Sequence, residues 1–248
     1  RSPYNALPML IRKPDGTFRT VLDFRALNSV VVKDSYPLPN IEHNLAKLGK
    51  SSLFTTADLL QGFFQVELDD SSKFKTAFGT PFGQFAFVRL PMGLTSAPGI
   101  FMRAVDSALR GLPPEIALAY LDDIIVPSSG DMKQHMHDVS TVFGRLLEAG
   151  FTVRGDKVHI GMREVPYLGF MVSKHGHSPM PKRTEAIFAI CYEQMQRDAK
   201  APARFAGMIQ FYHRFLPHLH FTLAPFNDLK KKSIIQAQRW DGLTSLRF

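Results

Sequence analysis

Three aspartates stand where apolar, strand-forming residues would otherwise run on. Asp122 and Asp123 separate Ala117-Leu118-Ala119-Tyr120-Leu121 from Ile124-Ile125-Val126, and Asp58 ends the run Leu53-Phe54-Thr55-Thr56-Ala57. Aspartate is depleted from strands and costly when buried without a partner. At a hairpin tip it is ordinary, and the adjacent pair alone fits that reading. Asp58 changes the balance, because neighbouring strands would gather three carboxylates at one end. Two such charges about 4 Å apart repel by about 4 kcal/mol at an effective dielectric of 20. A divalent cation relieves that repulsion, and Mg²⁺ is the usual hard ion bound through carboxylates and substrate phosphates. Two ions roughly 3.5–4 Å apart would stabilise the attacking and leaving oxygens of an in-line phosphoryl displacement.

The elements that must position these residues are partly legible. Met9 to Leu22 predicts two short strands joined by the turn Lys13-Pro14-Asp15-Gly16. Prolines in Asp34-Ser35-Tyr36-Pro37-Leu38-Pro39 predict an extended connector. Asn40 can cap a short helix with Ile41, Leu45 and Leu48 on one face. Leu53–Ala57 and Phe85–Leu90 are strand candidates. Thr95 or Ser96, followed by Pro98, opens a helix carrying Phe101, Val105 and Leu109, closed by Gly111. Ile116–Val126 predicts a hairpin with Asp122-Asp123 near its tip. Asp131–Gly150 is the clearest helix, with Met132, Met136, Val139, Phe143 and Leu146 as its apolar stripe. Val165–Val172 predicts a strand pair, and Lys182 onward is mostly helical. Strands and helices mix irregularly, so the class is α+β.

A chain of 248 residues, 45% hydrophobic, can bury a real core of one or two domains. No stretch approaches the roughly 18 apolar residues of a membrane span, and no signal peptide opens the chain, so no membrane partner and no secretion are expected. The first residue is Arg rather than Met, so Arg1 is expected to be internal to a longer polyprotein. The lone Cys191 excludes an internal disulfide and a multi-cysteine zinc site; a half-buried helix position without redox role is expected. His135/His137, His175/His177 and His218/His220 are pairs at i, i+2, but no further ligand accompanies them, so surface histidines are expected. Charge is unevenly spread. Residues 1–149 hold 15 Lys/Arg and 15 Asp/Glu, whereas residues 150–248 hold 15 and 7, so the whole +8 lies there. A neutral chemical part beside a basic part suits a polyanion, although a solvated basic surface reads the same way.

At this point the residues reach a family. Tyr120-Leu121-Asp122-Asp123 resembles the Tyr-X-Asp-Asp box of reverse transcriptases. The similarity runs in order from Ser2 to about Leu229. It takes in Arg12-Lys13-Pro14-Asp15-Gly16-Thr17-Phe18-Arg19, Leu22-Asp23-Phe24-Arg25-Ala26-Leu27-Asn28, Asp34 to Pro39, Lys75-Thr76-Ala77-Phe78, Leu90-Pro91-Met92-Gly93-Leu94 and Tyr167-Leu168-Gly169. A lone Tyr-X-Asp-Asp is a weak signal, but this ordered set is strong. Order and spacing look most like the gypsy-type LTR retrotransposons.

The resemblance implies a right-hand polymerase: partial fingers, a palm of antiparallel sheet with helices, and a helical thumb. Residues 1–57 would be fingers with the start of the palm. Residues 58–180 would be mostly palm, with a returning fingers segment at about 69–90, and 181–248 thumb with an unassigned basic tail. It implies RNA-directed DNA polymerase activity, a nucleotidyltransferase that extends a primer with dNTPs. Asp58, Asp122 and Asp123 would hold two Mg²⁺ ions, replaceable by Mn²⁺, with help from the Leu59 carbonyl. Lys13 and Arg19 would hold the triphosphate, whose outer oxygens need counter-charge. Gln61, Gly62 and Phe63 would contact the nucleotide, the Phe63 ring excluding a 2′-OH. Met92-Gly93 would pack near nucleotide and template; Gln or Phe is common where Met92 stands, so shape carries over and a polar contact does not. Tyr120 and Leu121 would face primer and template, Leu168-Gly169-Phe170 would grip the primer end, and Arg204, Arg214 and Lys230-Lys231-Lys232 would meet phosphates. RNA or DNA template, primer and dNTPs are the implied partners, with RNase H and integrase downstream in a parent polyprotein and a further fingers segment before Arg1. The setting would be a cytoplasmic retroelement particle or the nucleus. The rivals are a decayed or domesticated nucleic-acid binder and a different two-metal enzyme such as a nuclease; an adjacent Asp-Asp is not the usual pattern of the latter.

Overall fold

The computed structural model describes residues 2–13, 15–188 and 201–228, and the chain divides between Ser178 and Pro179 into two compact units. In the first unit, β1 (Leu7–Arg12) and β2 (Phe18–Asp23) form an antiparallel hairpin. The Lys13 amide donates to the Thr17 carbonyl at 2.7 Å, and Gly16 takes φ +83°, a conformation open to glycine at little cost. Short helices α1 (Arg25–Val30) and α2 (Ile41–Lys47) follow; the Asn40 side chain caps α2 by accepting from the Glu42 and His43 amides.

The centre is a four-stranded antiparallel sheet. It begins with β3 (Leu53–Asp58); the chain then runs through α3 (Asp70–Lys73), a separate two-stranded hairpin of β4 (Phe78–Thr80) and β5 (Gly83–Phe85), and helix α4 (Ala97–Ala108) before it adds β6 (Leu118–Tyr120) and β7 (Asp123–Ser128) to the sheet. Helix α5 (Met132–Glu148) then leads to β8 (His159–Met162), and the sheet order is β6-β7-β3-β8. A three-stranded sheet of β9 (Glu164–Tyr167), β10 (Phe170–Ser173) and β11 (Gly176–Pro179) ends the unit. Alternation along β7 sends Ile124 and Val126 to one face, where Leu59, just after β3, joins them. There they meet Phe101, Met102 and Val105 of α4 and Val139, Val142 and Leu146 of α5, all essentially buried. Burial of each such side chain stabilises the unit by about 1.5–3 kcal/mol.

The Asp131 carboxylate caps α5 by accepting from the Gln134 amide at 2.8 Å. Gly150 stops it at φ +82°, with the Phe151 amide reaching back to the Leu146 carbonyl. Its buried stripe is not the one expected. His135, Val139, Val142 and Leu146 face the core, whereas Met132 and Met136 are exposed. The expectation of a surface histidine therefore fails at His135, which is fully buried: Nε2 lies 2.7 Å from Thr55 Oγ1 on β3, which also accepts from the Gly161 amide. This polar bridge ties α5, β3 and β8 together, and a partner of that kind makes burial of an imidazole tolerable. His137, His175, His218 and His220 are exposed and His177 is half-buried against Phe170. Phe85–Leu90 is also corrected. Only Phe85 belongs to a strand, and the following residues lie along Val66–Leu68 through two hydrogen bonds and the single bridge Glu67–Arg89.

The second unit contains helices α6 (Pro181–Phe188), α7 (Ala201–Gln210) and α8 (Leu219–Asp228). Ala201, Ala206, Leu219 and Leu223 form its buried contact. Cys191 and Lys230-Lys231-Lys232 lie outside the described residues. Among the described residues no helix is long and apolar enough to cross a membrane.

Candidate active site

Strand register brings the first and last of the three aspartates together. Asp58 is the direct cross-strand partner of Asp123, the final pair of the β3–β7 ladder. Asp122 lies in the two-residue turn of the β6–β7 hairpin, whose last pair is Tyr120–Asp123. Leu121 in that turn takes φ +54°, a left-handed conformation that costs a non-glycine residue about 1–2 kcal/mol. Two contacts hold it there: its amide donates to Met102 Sδ at 3.0 Å, and its side chain packs on the core. The carbonyl of Asp122 accepts from the Leu59 amide at 2.8 Å, and that of Asp58 accepts from Arg154 at 2.8 Å. The two carboxylate-bearing loops are thus stitched through main chain, independently of their side chains.

The electrostatics follow from this crowding. Asp123 keeps solvent access, yet the protein around it desolvates the carboxyl, and Asp122 and Asp58 repel its charge. Together they push its pKa up to about 6, with Lys157 acting in the opposite direction. Lys157 Nζ lies 2.6 Å from Asp58 Oδ2 and is the one internal cation paired with the three aspartates among the described residues. Because the folded-state pKa of Asp123 is raised, the folded chain binds this proton more tightly than the unfolded chain does. Its contribution to stability is therefore favourable at low pH and declines as pH rises from about 4 to about 6. A carboxyl-carbon NMR titration of the metal-free chain should show one aspartate titrating near 6, lost in Asp123→Asn. An ordinary midpoint near 4 for every aspartate would contradict the crowding.

The donor set fits a hard divalent cation: carboxylate oxygens, one raised in pKa by its neighbours, with a lysine supplying positive charge in the same place. As they stand, no three His, Cys, Asp or Glu among the described residues converge into a finished metal cage. Lys157 holds Asp58 in its own pairing instead.

Other expected residues divide by location. Gly62, at φ +20°, lies close against Asp122, since a Cβ there would stand 3.4 Å from the Asp122 Cβ. Gln61 precedes it in the left-handed region at φ +54°, and the Leu59 carbonyl accepts from the Gly62 amide at 3.4 Å. Phe63 rests edge-to-face on Phe101, ring centroids 5.4 Å apart. Met92 is exposed, and Gly93 is held by Asn28, whose amide donates to the Gly93 carbonyl and accepts from the Thr95 amide. Leu168 and Gly169 both have positive φ and form the two-residue turn between β9 and β10. Phe170 is buried behind that turn. Lys13 and Arg19 stand on the β1–β2 hairpin, and among the described residues no hydrogen bond or ion pair joins them to the aspartates. Arg204 on α7 and Arg214 in the turn His213–Phe215 belong to the second unit. Lys157 and Gln65 (whose amide bridges two loops) were not marked by sequence reasoning, and Asn28 entered only as the end of a matching segment, with no role given. Each acts on one carboxylate or on main chain, which leaves no spacing pattern to find.

Three comparisons bear on this geometry. The family model described as reverse transcriptase (RNA-dependent DNA polymerase) matches residues 11–172. The retrovirus-related Pol polyproteins from transposons 297 and gypsy of Drosophila melanogaster are each 36% identical to the chain. The first matches over 96% of this chain and 23% of its own length, the second over 93% and 22%. The chain therefore spans about a quarter of the length of these relatives. Among solved structures, foamy viral protease-reverse transcriptase in complex with double-stranded DNA aligns with a TM-score of 0.81 at 28% identity, covering 92% of this chain and 39% of that one. The same protein in complex with RNA/DNA hybrid aligns at 0.81 and 27%, covering 96% and 31%.

Proposed function

The chain belongs to the reverse transcriptase (RNA-dependent DNA polymerase) family and has its α+β polymerase fold, and from that premise we propose that it is the polymerase part of a gypsy-type Pol polyprotein, an RNA-directed DNA polymerase that extends a primer with dNTPs. The observation that carries the reading is the cross-strand pairing of Asp58 with Asp123, with Asp122 in the adjoining turn. The primer 3′-OH attacks the α-phosphate of the dNTP and pyrophosphate leaves. Two Mg²⁺ ions, or Mn²⁺ in their place, held by Asp58, Asp122 and Asp123 with the Leu59 carbonyl, would supply the charge that neutralises the attacking and departing oxygens. Little covalent work falls to the side chains; positioning and charge carry the rate.

The residues have separate tasks. Release of Asp58 by Lys157 frees one carboxylate for the ion. Lys13 and Arg19 neutralise the outer triphosphate oxygens, and Gln61, Gly62 and Phe63 form the nucleotide's floor beside Asp122. Phe63 lies under the sugar, where a 2′-OH would collide with the ring. Met92-Gly93 and Tyr120-Leu121 shape the template and primer side. The turn Leu168-Gly169, with Phe170 packed behind it, holds the primer end. Arg204 and Arg214 meet phosphates. In this reading residues 1–57 are fingers with the first palm strand, 58–180 mostly palm with fingers returning at about 69–90, and 181–248 thumb and tail. The partners are RNA or DNA template, primer and dNTPs, with RNase H and integrase in the same polyprotein and a cytoplasmic particle as the setting. The foamy viral relative's complexes with DNA and RNA/DNA hybrid support the nucleic-acid partners.

The test is extension of a labelled DNA primer on an RNA template by the full chain, with all four dNTPs and Mg²⁺ or Mn²⁺. Extension that stops on chelation is expected. Persistent binding of the hybrid with no extension under either ion would mean a nucleic-acid binder without synthesis.

A further inference from the structure

The loop from Asp58 to Val66 passes through two successive positive-φ residues, Gln61 and Gly62, before the turn Gly62–Gln65. Main-chain bonds from the Phe64 amide to the Gln61 carbonyl at 2.9 Å and from the Val66 amide to the Phe63 carbonyl at 3.1 Å shape the turn itself, and the turn must still be held against the rest of the unit. Gln65 supplies the restraint from the far end of the turn. Its side-chain Nε2 donates to the Leu60 carbonyl at 2.6 Å and to the Thr152 carbonyl at 3.1 Å, while Oε1 accepts from the Thr152 amide at 2.6 Å. The Leu60 amide also donates to the Thr152 carbonyl at 2.9 Å. One side-chain amide therefore exchanges hydrogen bonds with the main-chain N–H and C=O of a single residue, Thr152, as a neighbouring strand would.

Thr152 follows Phe151, and this closes a circuit. The Phe151 ring stands edge-on to Phe101 at 6.0 Å and 89°, and Phe101 stands edge-on to Phe63 at 5.4 Å and 86°. Phe101 is fully buried and Phe151 nearly so. Main chain at 151–152 thus registers both the loop that carries Phe63 and the aromatic floor beneath it. Asp58 is anchored by the β3–β7 ladder and, from the same 152–154 segment, by the Arg154 amide, so the ladder gives it a hold that Phe63 lacks.

We propose that Gln65 is a positioning residue for sugar selection: by clamping Thr152 it fixes the Phe63 ring, and so sets the preference for deoxy- over ribonucleotides. The inference rests on the reading of Phe63 as the sugar-facing ring. Exclusion by a ring edge is a contact effect, so a displacement of about 1 Å changes it strongly. The Gln amide donates and accepts here together, whereas an ionised Glu can only accept and a Met thioether accepts weakly at most.

The experiment measures kcat/KM for a dNTP and for the matching rNTP in primer extension by the full chain, with Gln65→Met, Gln65→Glu, Phe63→Val and the double variant Phe63→Val/Gln65→Met. Gln65→Met is expected to lower the dNTP-to-rNTP ratio about tenfold. In the Phe63→Val background the same change should move the ratio less than about twofold, because the two residues act through one ring. A merely structural role would lower both substrates' kcat/KM alike and leave the ratio unmoved, and that result overturns the proposal. Gln65→Glu keeps an acceptor for the Thr152 amide but cannot donate. An unchanged ratio in whichever Gln65 variant folds, judged by circular dichroism, overturns the proposal as well. If Phe63→Val itself leaves the ratio at the wild-type value, the reading of Phe63 fails, and this inference fails with it. If Phe63→Val lowers the ratio and neither Gln65 variant does, only the inference about Gln65 fails.

Discussion

Asp58→Asn is expected to lower primer extension by about 10³-fold or more while leaving the melting temperature within a few degrees of wild type. The two halves of this expectation have different sources. Asparagine keeps the shape of aspartate and still offers Lys157 an acceptor. The ion pair it replaces is half-exposed on the lysine side, and such pairs contribute only about 0–1 kcal/mol. Removing the charge also relieves repulsion on Asp123, whose pKa should fall from its raised value. What is lost is one of three acidic donors, and with it the capacity to gather positive charge where the reacting oxygens would lie. Mn²⁺ binding followed by its paramagnetic signal should weaken in parallel. Extension within tenfold of wild type would remove Asp58 from the reacting centre, whatever the fate of Asp122 and Asp123.

Phe101→Ala carries the largest expected effect on stability, about 3–5 kcal/mol for the first unit. The side chain is fully buried in the cluster formed by α4, α5 and β7. It makes two edge-to-face ring contacts, each worth about 0.5–1.5 kcal/mol beyond area burial. Alanine would leave a cavity lined by Phe63, Phe151 and neighbouring aliphatic groups. A domain has only about 5–15 kcal/mol in total, so the variant should approach the unfolding threshold. Urea unfolding followed by far-UV signal reads it. Two compact units make two transitions possible, so the expected shift belongs to the one that also loses hydrogen-exchange protection in α4 and β7. A loss under about 1 kcal/mol would show that the cluster can close over the gap.

Much of the scaffold was legible because local chemistry and tertiary need agree there. Asp131 and Gly150 bound α5 as cap and stop. Asn40 caps α2, and the hairpin around Asp122-Asp123 forms where apolar runs flank a polar turn. The misses have physical causes. On α5, hydrophobicity favoured Met132 and Met136, but helical rotation turns His135 and Val142 inward, and a buried Thr55 hydroxyl makes the histidine acceptable. Phe85–Leu90 has strand-like composition, yet its neighbour Val66–Leu68 offers only a few ladder bonds. The gathering of Asp58 with Asp123 was anticipated as a possibility of adjacent strands; the register that realises it is a property of the whole sheet. Lys157 and Gln65 escaped because one lysine in a turn and one glutamine after two phenylalanines look like any others.

The pairing of Asp58 with Lys157 spans 99 residues, and that separation has a consequence in time. A ribosome adds about 5–20 residues per second, so Asp58 emerges on the order of ten seconds before the lysine that neutralises it. Asp123 is made in between, and β7 can join β3 as soon as both are free. For an interval of seconds the nascent chain would hold three crowded carboxylates without Lys157, the lysine that later pairs with Asp58. Protonation or a captured cation is the relief open to it then. The order of synthesis thus places the acidic cluster ahead of the cation that later pairs with it.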